Sequence, residues 1–165
     1  MSWPRLFSIL IFLIFALSVN GQKSIKIKVK ITLRPTENFR GFLNDCDVII
    51  HKNNFVKDSV RVKRYAFKKI IKSEGVYKLE FKKNNYVSKH VVINAHSFPI
   101  NQRNKYVLKA DISLFHISKN QNVKFLEELP ISRAYYNEIK EDLMWDFEYN
   151  RSVIEKIIHA QTKLK

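Results

Sequence analysis

Cysteine occurs once in this chain, at Cys46, so no intrachain disulfide can form and the fold must be held by packing. The thiol lies in the apolar run Cys46-Asp47-Val48-Ile49-Ile50 and reads as a small core residue. A nucleophilic role needs a neighbouring base and an electropositive setting, and the sequence specifies neither. Glycine is nearly as scarce, with three residues in 165, and proline has four. A phosphate-cradling glycine loop and a G-x-S-x-G elbow are both absent, and turns must be built from Asn, Asp and Lys instead. Acidic residues are half as frequent as basic ones, 15 against 30, for a net charge of +15. The only long apolar run is Leu6–Val19, shorter than the ~20 residues that span a bilayer.

That run follows Arg5 and leads to Val19-Asn20-Gly21, the pattern of a secretory signal peptide over residues 1–21, cleaved to leave Gln22 first. No cysteine follows the cleavage point to carry a lipid. The mature protein is therefore expected to be exported to the periplasm or cell surface, with no stable transmembrane anchor. The remaining residues suffice for one domain with a real core.

What is present is alternation. Ile25, Ile27, Val29, Ile31 and Leu33 alternate with Lys26, Lys28 and Lys30, a period of two that predicts a strand ended by Pro35. Further strands are predicted at 46–51, 59–62 and 65–70. Tyr77, Leu79 and Phe81 then alternate with Lys78, Glu80 and Lys82. Lys83-Asn84-Asn85 interrupts the pattern, and Tyr86–Ala95 resumes it with Val87, Val91 and Ile93 on one side: a hairpin. After a polar loop at 99–104, Tyr106, Leu108, Ala110, Ile112 and Leu114 form the last alternating run. About seven strands at short spacing predict an all-β sandwich over residues 22–126.

Gly75, Tyr77, Leu79, Phe81, Lys83 and Tyr86 also match a pattern. The stretch G-x-Y-x-L-x-F-x-K followed by N-Y-V-S-K resembles the carboxypeptidase regulatory-like (transthyretin-like) β-sandwich domain over roughly residues 23–95. Asn85 replaces the glycine usual there, and the usual G-x-P-L-x-G-A segment is degraded to Phe42-Leu43-Asn44-Asp45-Cys46. The resemblance implies an Ig-like or prealbumin-like sandwich acting as a non-catalytic module of the cell envelope.

Residues 127–165 differ in kind, being aromatic and slightly acidic, with 8 acidic and 6 basic residues against 7 and 23 in 22–126. The segment P-x-S-R-x-Y-Y … W-D-x-E-Y is similar to tails of exported Bacteroidetes-type proteins that carry the same β-domain. From Arg151 to Lys165, Ile154, Ile157, Ile158 and Leu164 share a stripe, predicting an amphipathic helix capped by Asn150. This mixed tail either closes the sandwich or docks on a partner. In the second case Tyr135, Tyr136, Trp145 and Tyr149 are the candidate anchors, since Trp and Tyr dominate interface energetics.

The densest basic cluster is Arg61, Lys63, Arg64, Lys68, Lys69 and Lys72, a candidate patch for a polyanion such as lipopolysaccharide or an acidic polysaccharide. Lysine outnumbers arginine 22 to 8, the reverse of what bidentate reading of phosphates and bases favours, so specific nucleic-acid binding is not expected. Most of these lysines fall on solvent-facing strand positions, where they also guard against edge aggregation. The histidines, His51, His90, His96, His116 and His159, show no metal-ligand spacing, and the pairs Asp45/Asp47 and Glu141/Asp142 lack the companions of a calcium loop. No catalytic residue, metal or cofactor is expected. The chain reads as a non-enzymatic envelope module binding a protein or glycan, or alternatively as a basic surface protein binding a polyanion.

Overall fold

The computed structural model describes residues 26–36, 41–72, 74–96, 98, 105–117 and 121–162, so the signal-peptide segment and the loop at 99–104 lie outside the described residues. The period-two runs form strands as patterned: β1 (Lys26–Pro35), β2 (Cys46–Lys52), β3 (Phe55–Val62), β4 (Ala66–Ile71), β5 (Val76–Lys82), β6 (Lys89–Asn94) and β7 (Lys105–Leu114). A 3-10 segment (Gln121–Glu127), β8 (Ser132–Asn137), β9 (Asp142–Trp145) and helix α1 (Phe147–Thr162) follow. The described residues thus hold nine strands rather than about seven. The two added strands belong to the tail, whose aromatic and acidic residues mask a short alternation.

The strands make two sheets, a three-stranded one in the order β4-β1-β7 and a six-stranded one in the order β3-β2-β5-β6-β8-β9. In the small sheet β1 is central, antiparallel to β4 and parallel to β7. In the large sheet all neighbours are antiparallel except β6 and β8. That parallel pair arises because the chain leaves for the small sheet at β7 before returning beside β6. The six-stranded sheet therefore contains strands from both sides of residue 127.

One core lies between the sheets. Ile27, Val29, Ile31 and Leu33 of β1 bury against Val48, Leu79, Phe81, Val91 and Ile93 of the large sheet. Phe67 of β4 meets Phe81 of β5 edge-on, ring centroids 6.5 Å apart, a geometry favoured by aromatic quadrupoles. Phe98, Tyr106 and Tyr136 close the opposite end. Along the open side between β3 and β4, Lys69 donates a hydrogen bond to Asp58 and links the edges of the two sheets.

Turns follow from the scarcity of glycine. Asn53 and Asn54 both take left-handed φ angles, 49° and 71°, and make the two-residue hairpin between β2 and β3. The strand expected at 59–62 starts four residues earlier, at Phe55, because Asn53 and Asn54 turn the chain directly after β2. Asn85, in place of the resembled family's glycine, has φ 66°. Past it, Tyr86 leaves its hairpin partner and bridges His116, while the Val87 amide donates to Phe115, so β6 starts at Lys89 rather than Tyr86.

The tail is tied into the fold. The amide of Tyr149 donates to Asp146 Oδ1 at 3.0 Å, making Asp146 the cap of a helix that starts at Phe147. This corrects the expectation of a start at Arg151 capped by Asn150, which lies in the first turn instead. The stripe is also rotated: Val153 is buried with Tyr149, Ile157 and Ala160 packed around it, whereas Ile154 and Ile158 are more than half exposed. None of the described helices is long and apolar enough to cross a membrane. Replacing Asp146 by Ala is expected to lower stability by about 1 kcal/mol, measured by urea denaturation, through loss of the helix cap.

Candidate functional site

Alternation in β1 places its lysines on the face of the small sheet away from the core, and the register decides their neighbours. Lys26 sits beside Lys105, and Lys30 sits between Lys68 on β4 and Lys109 on β7. Lys28 lies between Ile70 and Val107, both half exposed. The result is a flat field of ammonium groups, bordered at one end by Arg34 and Asp111, whose Nε–Oδ2 separation is 3.4 Å. Mutual repulsion is felt within it: Lys28, then partial burial, Lys109 and Lys68 together hold the Lys30 ammonium below the usual lysine range.

The six residues of the sequence cluster are divided among several places. Lys68 joins the lysine face. Lys69 turns the other way, toward Asp58, whose carboxyl it holds below its ordinary range. Arg61 stands 3.9 Å from both Asp45 and Asp47, so the carboxylate pair considered for calcium faces a guanidinium. Lys63 and Arg64 lie in the β3–β4 turn and Lys72 just beyond β4, all exposed. Proximity in sequence therefore identified Lys68 but not Lys28, Lys30 or Lys109, which only pairing across strands brings to it.

The four aromatic candidates in the tail are placed unequally. Tyr136 packs on Phe98 and Tyr106. Trp145 Nε1 donates to the carbonyl of Lys109 at 2.8 Å, fastening β9 to the free edge of β7. The Tyr149 hydroxyl donates to the carbonyl of Pro130 at 2.7 Å, and its ring lies 4.1 Å from the Arg133 guanidinium. Tyr135 keeps 39% of its surface exposed.

A second feature lies where β7, β8, β9 and α1 meet. A groove of about 560 Å³ runs between them, walled by Val91, Ile112, Phe115, Ile131 and Trp145 and by Ile154, Ile157 and Ile158 of the helix. Its lining includes Lys89, only 5% exposed. The Lys89 ammonium donates to the carbonyl of Ser113 and lies 4.0 Å from the centre of the Phe115 ring. Burial pushes the Lys89 amine from its ordinary 10.5 down to about 7. Lys109 and Asp111 are the other charged side chains of the groove. Two further polar atoms in its lining residues, Ser132 Oγ and Asn150 Oδ1, are buried without a hydrogen-bond partner. Lys89 is not among the candidates expected from the sequence, although it shares the inward parity of Val87, Val91 and Ile93.

Other reactive groups are quiet. The Cys46 thiol is fully buried, donates to the carbonyl of Lys82 at 3.2 Å, and is pushed by burial up to about 11. Among the described residues no three His, Cys, Asp or Glu side chains gather as a metal site.

No family model matches the chain, and no curated protein does. Among solved structures, the Bacillus anthracis TIE protein is similar to it at 13% identity and a TM-score of 0.45, over 56% of this chain and 17% of that one.

Two outcomes follow from these charges. Replacing Lys28 by Gln is expected to raise the Lys30 pKa toward the ordinary value more than Lys109→Gln or Lys68→Gln does, as read by NMR titration of the ammonium resonance. For Lys89 the folded value is depressed, so between about pH 7 and 10.5 the unfolded chain binds more protons and stability rises with pH. Lys89→Met is therefore expected to stabilise the fold at pH 7 by on the order of a few kcal/mol. That advantage should shrink toward pH 10, in urea melts run beside the unaltered protein.

Proposed function

We propose that this chain is an exported, non-enzymatic binding module of the cell envelope that holds an anionic polymer against the outer face of its three-stranded sheet. Export is read from Arg5 and the apolar run Leu6–Val19. The module class, an Ig-like or prealbumin-like sandwich of the carboxypeptidase regulatory-like kind, is read from the Gly75–Tyr86 motif and agrees with two sheets sharing one core. One observation carries the choice of ligand: Lys30 lies in register between Lys68 and Lys109, with Lys28 next but one along the strand. A rigid strand holds like charges together that a free chain would separate. Such a field attracts polyvalent anions and releases their condensed counterions on contact.

Lysine suits this task. An ammonium is a point charge without a fixed bonding fork, fitted to phosphates or uronates at loosely repeating spacing rather than to a particular base or peptide. Lipopolysaccharide and acidic polysaccharides have that chemistry, and an exported protein meets them.

The test is co-sedimentation with lipopolysaccharide aggregates, and retention on immobilised polygalacturonate, across a salt series. The unaltered protein is expected to bind with log affinity falling linearly in log salt. The triple change Lys28→Gln, Lys30→Gln, Lys68→Gln should weaken binding about tenfold or more and flatten that slope. Binding that ignores salt, or that survives the triple change but is lost on Tyr135→Ala, would replace this reading with an aromatic-anchored protein or glycan partner.

A further inference from the structure

The groove adjoins the lysine face and shares Lys109 with it, but the groove's chemistry is not that of a polyanion site. Its walls are aliphatic and aromatic, and its volume of about 560 Å³ falls within the ~300–1,000 Å³ of small-molecule sites. Two of its polar lining residues, Lys89 and Ser132, come from the neighbouring strands β6 and β8. Lys89 brings an amine with three potential N–H donors, of which the carbonyl of Ser113 takes one. Ser132 Oγ, on the strand beside β6, is buried with no partner at all. Buried polar atoms in folded proteins are nearly always satisfied, so a buried amine and a buried hydroxyl in the lining of one apolar groove suit a ligand that brings acceptors.

We propose that this groove binds a single-chain aliphatic carboxylic acid, with the carboxylate against Lys89 and Ser132 and the chain along Ile154, Ile157 and Ile158. A carboxylate brings a negative charge for the ammonium and lone pairs for both the amine and the hydroxyl. Charge-assisted bonds of this kind are about twice as strong as neutral ones. Asp111 is the carboxylate of the groove lining, and it stands at the rim beside Arg34, so it does not take the ligand's place. The chain half of the ligand explains the helix. Ile154 and Ile158 are more than half exposed along the groove, on a helix whose other apolar face is already packed. Covering them removes apolar surface from water at about 25 cal/mol per Å².

The experiment is isothermal titration of the full chain with dodecanoate, below its aggregation threshold, and with dodecanol as the uncharged match of equal length. The expected result is saturable binding of dodecanoate, about tenfold or more tighter than dodecanol. Lys89→Met should abolish that preference, bringing the acid down to the alcohol. Ile158→Asp, a change at an exposed position that leaves the core intact, should weaken both ligands. Lys68→Gln, on the lysine face, should change neither, so this proposal and the polyanion reading fail or stand independently. Three results overturn it: no binding of dodecanoate by the unaltered chain, equal binding of acid and alcohol, or a folded Lys89→Met protein that keeps the preference.

Discussion

Strand β1 has a period of two and sits between β4 and β7, so each residue it commits to the core commits its neighbour to water. Ile27, Val29, Ile31 and Leu33 are essentially without exposure, and Lys26, Lys28 and Lys30 are the necessary complement. Core and charged face are two readings of one strand. A register slip of a single residue would exchange them, burying ammonium groups and exposing isoleucine, and the energetic gap between these alternatives is what pins the small sheet in place. The flanking strands inherit their alignment from it, Phe67 and Leu108 facing inward and Lys68 and Lys109 outward.

Much of this was legible beforehand because alternation is a local property. Seven strands, the hairpin at Lys83-Asn84-Asn85 and a C-terminal helix all announce themselves in side-chain pattern. What escaped depends on partners distant in the chain. β8 has the sequence Ser-Arg-Ala-Tyr-Tyr-Asn, weakly apolar, and is a strand because β6 offers it an edge. The lysine face escaped for the same reason: Lys28, Lys30, Lys68 and Lys109 come together only through β1's choice of neighbours. The charge run at 61–72 was conspicuous but misleading as a unit, since a strand sends adjacent residues to opposite sides.

Lys89 shows how a regular pattern conceals an exception. Its position between Val87 and Val91 puts it on the inward side, opposite to the lysines of β1. Burial there is made tolerable by the aromatic face of Phe115 and the Ser113 carbonyl, a neutralisable amine being far less costly than a fixed charge. The tail completes the same neighbourhood. Trp145 fastens β9 to β7 and Tyr149 fastens α1 to Pro130, so the segment that differs most from the β-pattern forms two walls of the groove.

The asparagine turns have a consequence for how the protein tolerates change. Asn54 and Asn85 hold left-handed backbone that glycine would occupy without steric penalty, so these positions are open to substitution by the residue the chain so rarely uses. Asn53 is different. Its side chain accepts the Val76 amide at 2.9 Å, and its own amide donates to the Val76 carbonyl. The β2–β3 turn is thereby clasped to the first residue of β5, next to Gly75, whose φ of 141° is a backbone conformation that L side chains rarely adopt. Asn53 and Gly75 are thus fixed in composition at one corner of the large sheet, while Asn54 beside them and Asn85 at the β5–β6 turn are free to drift.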